Sequence, residues 1–190
     1  MGEGTREADW TLLLRLAFVP WYPIPSAHSH TQGVDEMTRN GMGTHVVTQI
    51  AVVVKDMDKA IEAYSRIFGL PKPDVMLTDP TNAHATYRGV PTNAQAKLAF
   101  FHLGDQVDLE LIEPVVGDSV WQEVLDKKGE GVHHIAFQIK GTDGVTDFLD
   151  QNGIPTIQQG QYTGGMYTYV DSEPQLGVML ELLENFDQDA

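Results

Sequence analysis

The sequence predicts an α+β fold in which two βαβββ modules pair their strands into one curved mixed sheet around a metal-binding cleft. Three observations predict it. The stretch from Gln49 reads Gln-Ile-Ala-Val-Val-Val-Lys, and the stretch from His134 reads His-Ile-Ala-Phe-Gln-Ile-Lys. Each is followed by a helix-patterned segment that stops at a glycine, Gly69 or Gly153, 20 and 19 residues beyond the aligned starts. Each module then closes on the same pentapeptide pattern, Leu-Glu-Leu-Ile-Glu at 109–113 and Leu-Glu-Leu-Leu-Glu at 180–184. Two copies at so long a period do not make a solenoid, so the repeat is that of two modules sharing a core.

Taken in order, Val46 to Val54 is rich in β-branched residues and predicts a buried strand, with Asp56 as the N-cap of the helix that follows. Met57, Ala60, Ile61, Tyr64 and Phe68 recur at helical spacing, and Gly69 supplies the stop. Lys72 to Thr92 is rich in Pro, Asn and Thr and reads as irregular or edge structure with one short strand around His84 to Arg88. Ala96 to Leu103 and Val107 to Glu113, separated by the turn formers Gly104 and Asp105, predict a hairpin. Pro114 to Asp118 links to a helix that a Ser119/Gln122 capping box would open, with Val120, Trp121, Val124 and Leu125 turned inward. In the second module, strands are expected at Val132 to Lys140, Pro155 to Gln161, Met166 to Val170 and Val178 to Leu183, with a helix from Val145 to Asn152. The resulting domain plan is a weakly structured leader over 1–43, a first module over 44–114, a connecting helix over 115–128, a second module over 129–186 and a tail over 187–190.

Composition narrows the function. The 190 residues carry a formal net charge of −15, and the 12 Lys and Arg form no basic tract, which argues against nucleic-acid binding. Cysteine is absent, so disulfides, thiolate nucleophiles and zinc-thiolate sites are excluded together, and any metal must sit on His, carboxylate or amide donors. No run of eighteen apolar residues exists to span a membrane. The acidic start, with Glu3, Glu7 and Asp9 ahead of an apolar stretch that Arg15 interrupts, does not suit a secretory signal, so a cytoplasmic protein is expected, with Met37 or Met42 as a natural beginning.

A candidate site follows from the pleat. Glu110 stands inside an apolar strand, where an unpaired carboxylate is costly and a bound cation is one of the few partners that removes the cost. Glu181 occupies the equivalent place in the second copy, and Gln49 and His134 are equivalent in the opening strands. Taken singly, each has an ordinary explanation as a solvated strand residue or a hydrogen-bonded core histidine. Their coincidence on repeat-equivalent positions makes Gln49, Glu110, His134 and Glu181 a candidate metal site. Glu113 and Glu184 also match, but on the opposite parity, and are expected to be exposed or turn-side. His133 is expected to point away from His134, and neither it nor His28 or His30 is given a role.

Between about Thr44 and Glu184 the chain resembles the vicinal oxygen chelate (glyoxalase/bleomycin resistance/dioxygenase) superfamily. Gly129-Glu-Gly-Val-His-His-Ile-Ala-Phe137 and Leu109-Glu-Leu-Ile-Glu-Pro114 look most like the methylmalonyl-CoA epimerases. The resemblance implies metal ligands at Gln49, Glu110, His134 and Glu181. Epimerases and bacterial glyoxalases usually carry His at the first position, and the Gln, Glu, His, Glu set is instead similar to zinc-type glyoxalase I. Epimerases of this type exchange a proton between two glutamates, one of them near Asn93 here, yet no glutamate lies between Glu62 and Glu110. The longer loop around Tyr87 to Thr92 also implies a different substrate pocket.

The expected chemistry is that of a divalent-metal-dependent isomerase or lyase, glyoxalase-like or epimerase-like, which removes a proton next to a carbonyl through a metal-bound enediolate. Glu181 or Glu110 would be the base, and mixed oxygen and nitrogen donors suit Zn, Ni, Co, Mn or Fe rather than Ca. The substrate would be a small carbonyl compound or thioester, with no nucleic-acid or membrane partner and with a homodimer allowed but not required. Two alternatives stand beside this reading. One is a non-enzymatic, antibiotic-sequestering binding protein, which needs a cleft but no metal. The other is a metal-dependent dioxygenase, which would prefer two histidines and one carboxylate.

Overall fold

The computed structural model describes residues 41–186. The expected leader, apart from its last three residues, and the tail lie outside the described residues. Strand β1 (Val47–Val53) is followed by helix α1 (Met57–Phe68). Asp56 caps α1 by accepting from the Lys59 N–H at 3.0 Å, and Gly69 ends it in the left-handed conformation at φ 68°. Two-residue strands β2 (Met76–Leu77), β3 (Thr86–Tyr87) and β4 (Val90–Pro91) precede the long hairpin of β5 (Gln95–Leu103) and β6 (Val107–Val116). Helix α2 (Val120–Lys128) leads to β7 (Gly131–Gln138), α3 (Thr142–Gln151), β8 (Thr156–Tyr162), β9 (Gly165–Val170), the single turn α4 (Glu173–Leu176) and β10 (Met179–Asn185). The sequence pattern misses α4, which is too short to show a helical period. In α2 the Ser119 hydroxyl accepts from the Gln122 N–H as expected, but the Gln122 side chain turns to Asp126 and does not close the box.

All ten strands form one mixed sheet in the order β2-β5-β6-β1-β7-β10-β9-β8-β3-β4. The opening strands of the two halves meet at its centre, β1 antiparallel to β7, and each is flanked by the closing strand of its own half, β6 and β10, running parallel to it. The order also forces curvature. Strands β4 and β5 lie eight places apart, roughly 38 Å on a flat sheet. Only residues 92–94 join them, a reach of no more than about 15 Å. The sheet therefore curls until its rims approach. At this seam a Cβ on Gly117 would lie 2.7 Å from Ala94 Cα, so the position tolerates no side chain.

The β3–β4 hairpin fastens the curl. It belongs to the first half, yet it pairs with β8 of the second. Arg88 and Gly89 form its two-residue turn, both at positive φ (49° and 76°), which matches the twist of a tight hairpin but strains an arginine. The Arg88 guanidinium donates to both Glu123 oxygens on α2, at 3.0 and 2.9 Å, and Tyr87 hydrogen-bonds the same carboxylate. The short strand expected around His84 to Arg88 is present as β3, and with β4 it forms a strap from the first half to the edge of the second. Its pairing is with residues some seventy positions away, which local composition does not encode.

Helices α1 and α3 cover the outer face, where Val54, Met57, Ile61, Ala99, Phe101, Leu109 and Leu111 form one core and Phe137, Ile139, Val145, Leu149, Leu180 and Leu182 another. Glu113 and Glu184 are not the solvated residues expected. Glu113 accepts from the Met57 N–H at 2.6 Å and from Lys97 at 2.7 Å, while Glu184 accepts from the Gly141 N–H, the Thr142 N–H and the Thr142 hydroxyl at 2.6, 2.8 and 2.6 Å. Each closing-strand glutamate therefore caps the helix of its own half, meeting unpaired N–H groups and the positive end of the helix dipole.

Candidate metal centre

Register carries the repeat into three dimensions. Ala51 on β1 is in register with Glu110 on β6 and with His134 on β7, while Ala136 on β7 is in register with Gln49 on β1 and with Glu181 on β10. Residues paired across strands share a face, so all six side chains belong to the inner face. Glu110, His134 and Glu181 are buried and offer ligand atoms that lie within 4.8 Å of one another. His134 Nε2 is 2.9 Å from Glu181 Oε2 and 3.4 Å from Glu110 Oε2. Gln49 stands in the adjoining row, half-buried, and its side chain makes no hydrogen bond among the described residues. The structure brings three of the four expected residues together and sets the fourth on the same face.

Two features of this cluster fit a divalent cation. His134 Nε2 and Glu181 Oε2 are fully shielded from solvent, yet neither has a hydrogen-bond partner despite their closeness. Buried polar atoms in native proteins are almost always partnered, and an ion accounts for such an exception. The protonation balance points the same way. Burial holds the Glu110 carboxyl above the usual carboxylate range against the pull of His134. Burial alone would lower His134, but the Glu181 and Glu110 carboxylates override it and push the imidazole up to about 9. A cation would stand in for those retained protons.

His133 departs from expectation. Its ring does not point away: Nδ1 lies 2.9 Å from His134 Nδ1, the rings meet edge-on, and the residue is buried. The reason is a β-bulge. Between Ala51 and Val52 on β1 the partner register on β7 jumps from His134 to Val132, so one step is matched by two and the alternation of faces is lost at His133. Burial and the neighbouring His134 hold His133 down at about 3, a neutral ring. Both imidazoles lie against Tyr169, whose hydroxyl accepts from the Trp121 indole N–H at 3.1 Å. Tyr169 stays a phenol far above neutrality, through burial and then the nearby Glu181 and Glu110.

A second group escaped the sequence reading. Asp108 is in register with both Gln49 and His102, and its carboxylate lies 2.5 Å from His102 Nδ1. His102, Asp108, Gln49, Ala136, Glu181 and Tyr169 thus form one row across the inner face. His102 is half exposed at the rim, whereas Glu181 is buried. The signal was present in the pairing of the hairpin, since both residues have the parity of Glu110.

A curled sheet built from two βαβββ halves, with a carboxylate–imidazole–carboxylate cluster on its inner face, is the architecture of a metal-chelating fold. The chain belongs to the Glyoxalase/Bleomycin resistance protein/Dioxygenase superfamily, whose model matches residues 48–170. It is 28% identical over 157 residues to a 2-epi-5-epi-valiolone epimerase of Actinomyces sp, covering 77% of this chain and 84% of that protein. It is 25% identical over 140 residues to the human mitochondrial methylmalonyl-CoA epimerase, covering 72% of each. Among solved structures, the methylmalonyl-CoA epimerase of Mycobacterium tuberculosis shares the fold with a TM-score of 0.56 at 21% identity, covering 80% of this chain and 95% of that one. Among the described residues no helix is long and apolar enough to cross a membrane.

Proposed function

We propose that this protein is a divalent-metal-dependent epimerase or isomerase that moves a proton at the carbon next to a carbonyl, with Gln49, Glu110, His134 and Glu181 as the metal ligands. The observation that carries the reading is the buried cluster in which His134 Nε2 and Glu181 Oε2 approach to 2.9 Å without a hydrogen bond. A cation bound there supplies a Lewis acid that stabilises negative charge developing on the substrate oxygen. Glu181 and Glu110 would hold it together with His134, and Glu181, as a carboxylate, has the chemistry to take the proton. Ala51 and Ala136 place only a methyl group between these side chains.

Epimerisation returns the proton to the opposite face, which takes a second group. His102, held by Asp108, supplies one. It stands four strands from Glu181 along the same row of the inner face. The substrate class that fits is an uncharged hydroxyketone, as the valiolone in the name of the Actinomyces relative suggests, rather than an acyl-CoA. Among the described residues Lys59, Lys72, Arg88, Lys97, Lys127 and Lys128 each already lie against a carboxylate, which reduces the positive charge they offer to coenzyme phosphates.

The test is metal analysis of the purified protein, followed by NMR detection of solvent-deuterium incorporation into cyclic hydroxyketones and into methylmalonyl-CoA. Exchange into a hydroxyketone that depends on added metal is expected. Methylmalonyl-CoA turnover on the order of ten per second, a typical enzymatic rate, would assign the acyl-CoA reaction instead, and exchange that survives complete metal removal would refute the metal reading.

A further inference from the structure

We propose that His133 is the positioning residue of the metal centre: its Nδ1 accepts a hydrogen bond from His134 Nδ1–H and thereby presents the Nε2 lone pair of His134 to Glu110 and Glu181. The inference rests on the metal reading above and adds to it a residue outside the ligand set. An imidazole that binds a cation through Nε2 must carry its single proton on Nδ1, and that proton needs an acceptor when it is buried. His134 is buried, its Nε2 faces the two carboxylates, and His133 Nδ1 stands 2.9 Å from its Nδ1. Two facing ring nitrogens can share only one proton, so the role of each ring is set by the other. With His134 donating, the proton of His133 sits on Nε2. That atom is shielded from solvent and has no hydrogen-bond partner among the described residues, while other atoms of His133 line a cavity of about 80 Å³ between α2 and α4.

The bulge makes this contact possible. In a regular strand the two histidines would occupy opposite faces, whereas the extra residue at His133 folds both rings inward. Tyr169 then packs on both rings and holds them at an edge-on angle of 80°. His134 is thereby held against the ring flip that would put carbons where its two nitrogens stand.

Substitution at His133 separates this role from simple packing. In His133→Phe the ring is kept and the acceptor lost, and affinity for Zn²⁺, measured by competition with a chromophoric chelator, is expected to fall about 10–100-fold. In His133→Asn an amide oxygen stands near the former Nδ1, and affinity is expected to recover to within a few-fold of the parent. Equal losses in both variants, or none in either, would overturn the proposal. Because the Phe variant can fail to fold, ¹⁵N NMR of the zinc-loaded parent provides an independent decision: the proposal requires protons on His134 Nδ1 and His133 Nε2, and a proton on His133 Nδ1 overturns it. A parent protein that binds no Zn²⁺, Ni²⁺, Co²⁺, Mn²⁺ or Fe²⁺ would overturn the metal reading itself and this inference with it.

Discussion

Ala51 and Ala136 are fully buried, occupy equivalent places in the two repeats, and each stands in register between two of the four proposed ligands. Small side chains at both points put no bulk between those ligands. Ala136→Val is expected to crowd Gln49 and Glu181, costing about 1–3 kcal/mol of stability as overpacked cores do and abolishing tight metal binding. Ala136→Ser should be mild in both respects. Chemical denaturation and chelator competition on the pair provide the check, and a Val variant that binds metal normally would refute the assigned role.

Glu181→Gln should lower solvent-deuterium exchange far more than Gln49→Glu does. The first change removes the proposed base, whereas the second alters charge at a ligand. Single-turnover exchange at saturating metal separates the two. Equal losses with metal retained would point to another base, and His102→Gln would then be the variant to examine.

Glu184→Ala should cost about 2 kcal/mol, the range of a lost helix cap that also anchored charge-assisted hydrogen bonds. Three donors at the start of α3 lose their acceptor, and Gly141 offers no side chain to replace it. Thermal melts should show the loss, and amide exchange should localise it to residues 142–151. Uniform loosening of the whole sheet would contradict the capping role.

Glu123 gives the strap a pH dependence. Burial would raise its carboxyl, but hydrogen bonds from Lys127, Tyr87 and Arg88 outweigh this and hold it at about 2, below its ordinary 4.5. A depressed acid contributes stability that is fully present above its unfolded value and lost as pH falls through the folded one. The parent should therefore exceed Glu123→Gln in stability by about 1–2 kcal/mol at pH 6, with partial exposure limiting the gain, and the difference should vanish between pH 4.5 and 2. A difference that does not change over that window would show that the ion pair contributes nothing.

Much of this molecule was legible before its coordinates. Glu110, His134 and Glu181 could be selected because a charged residue amid apolar neighbours is costly, and the repeat makes such exceptions coincide. The boundaries of α1 followed from Asp56 and Gly69, whose local chemistry the structure retains. Other features depend on partners distant in sequence. The short strand around His84 to Arg88 was legible but its pairing was not, because Thr86 and Tyr87 find their ladder on Gln159 and Gln158. The histidine pair was misread because a bulge is a property of two strands and leaves no mark on one. For Glu113 and Glu184 the pattern predicts exposed or turn-side positions, because strand parity says nothing of a helix end arriving from elsewhere.

The three residues 92–94 carry the chain from the edge strand β4 to β5, which lies next to the opposite edge of the curled sheet. The hairpin is thus tied covalently to β5 but to the second half and α2 by hydrogen bonds, the β3–β8 ladder and the Glu123 contacts, so spreading the curl must release those bonds to water. While those bonds hold, the length of the covalent tether sets the girth of the cleft. Lengthening it by even a few residues would let the curl dilate and admit bulkier molecules while leaving every side chain of the Glu-His-Glu centre untouched.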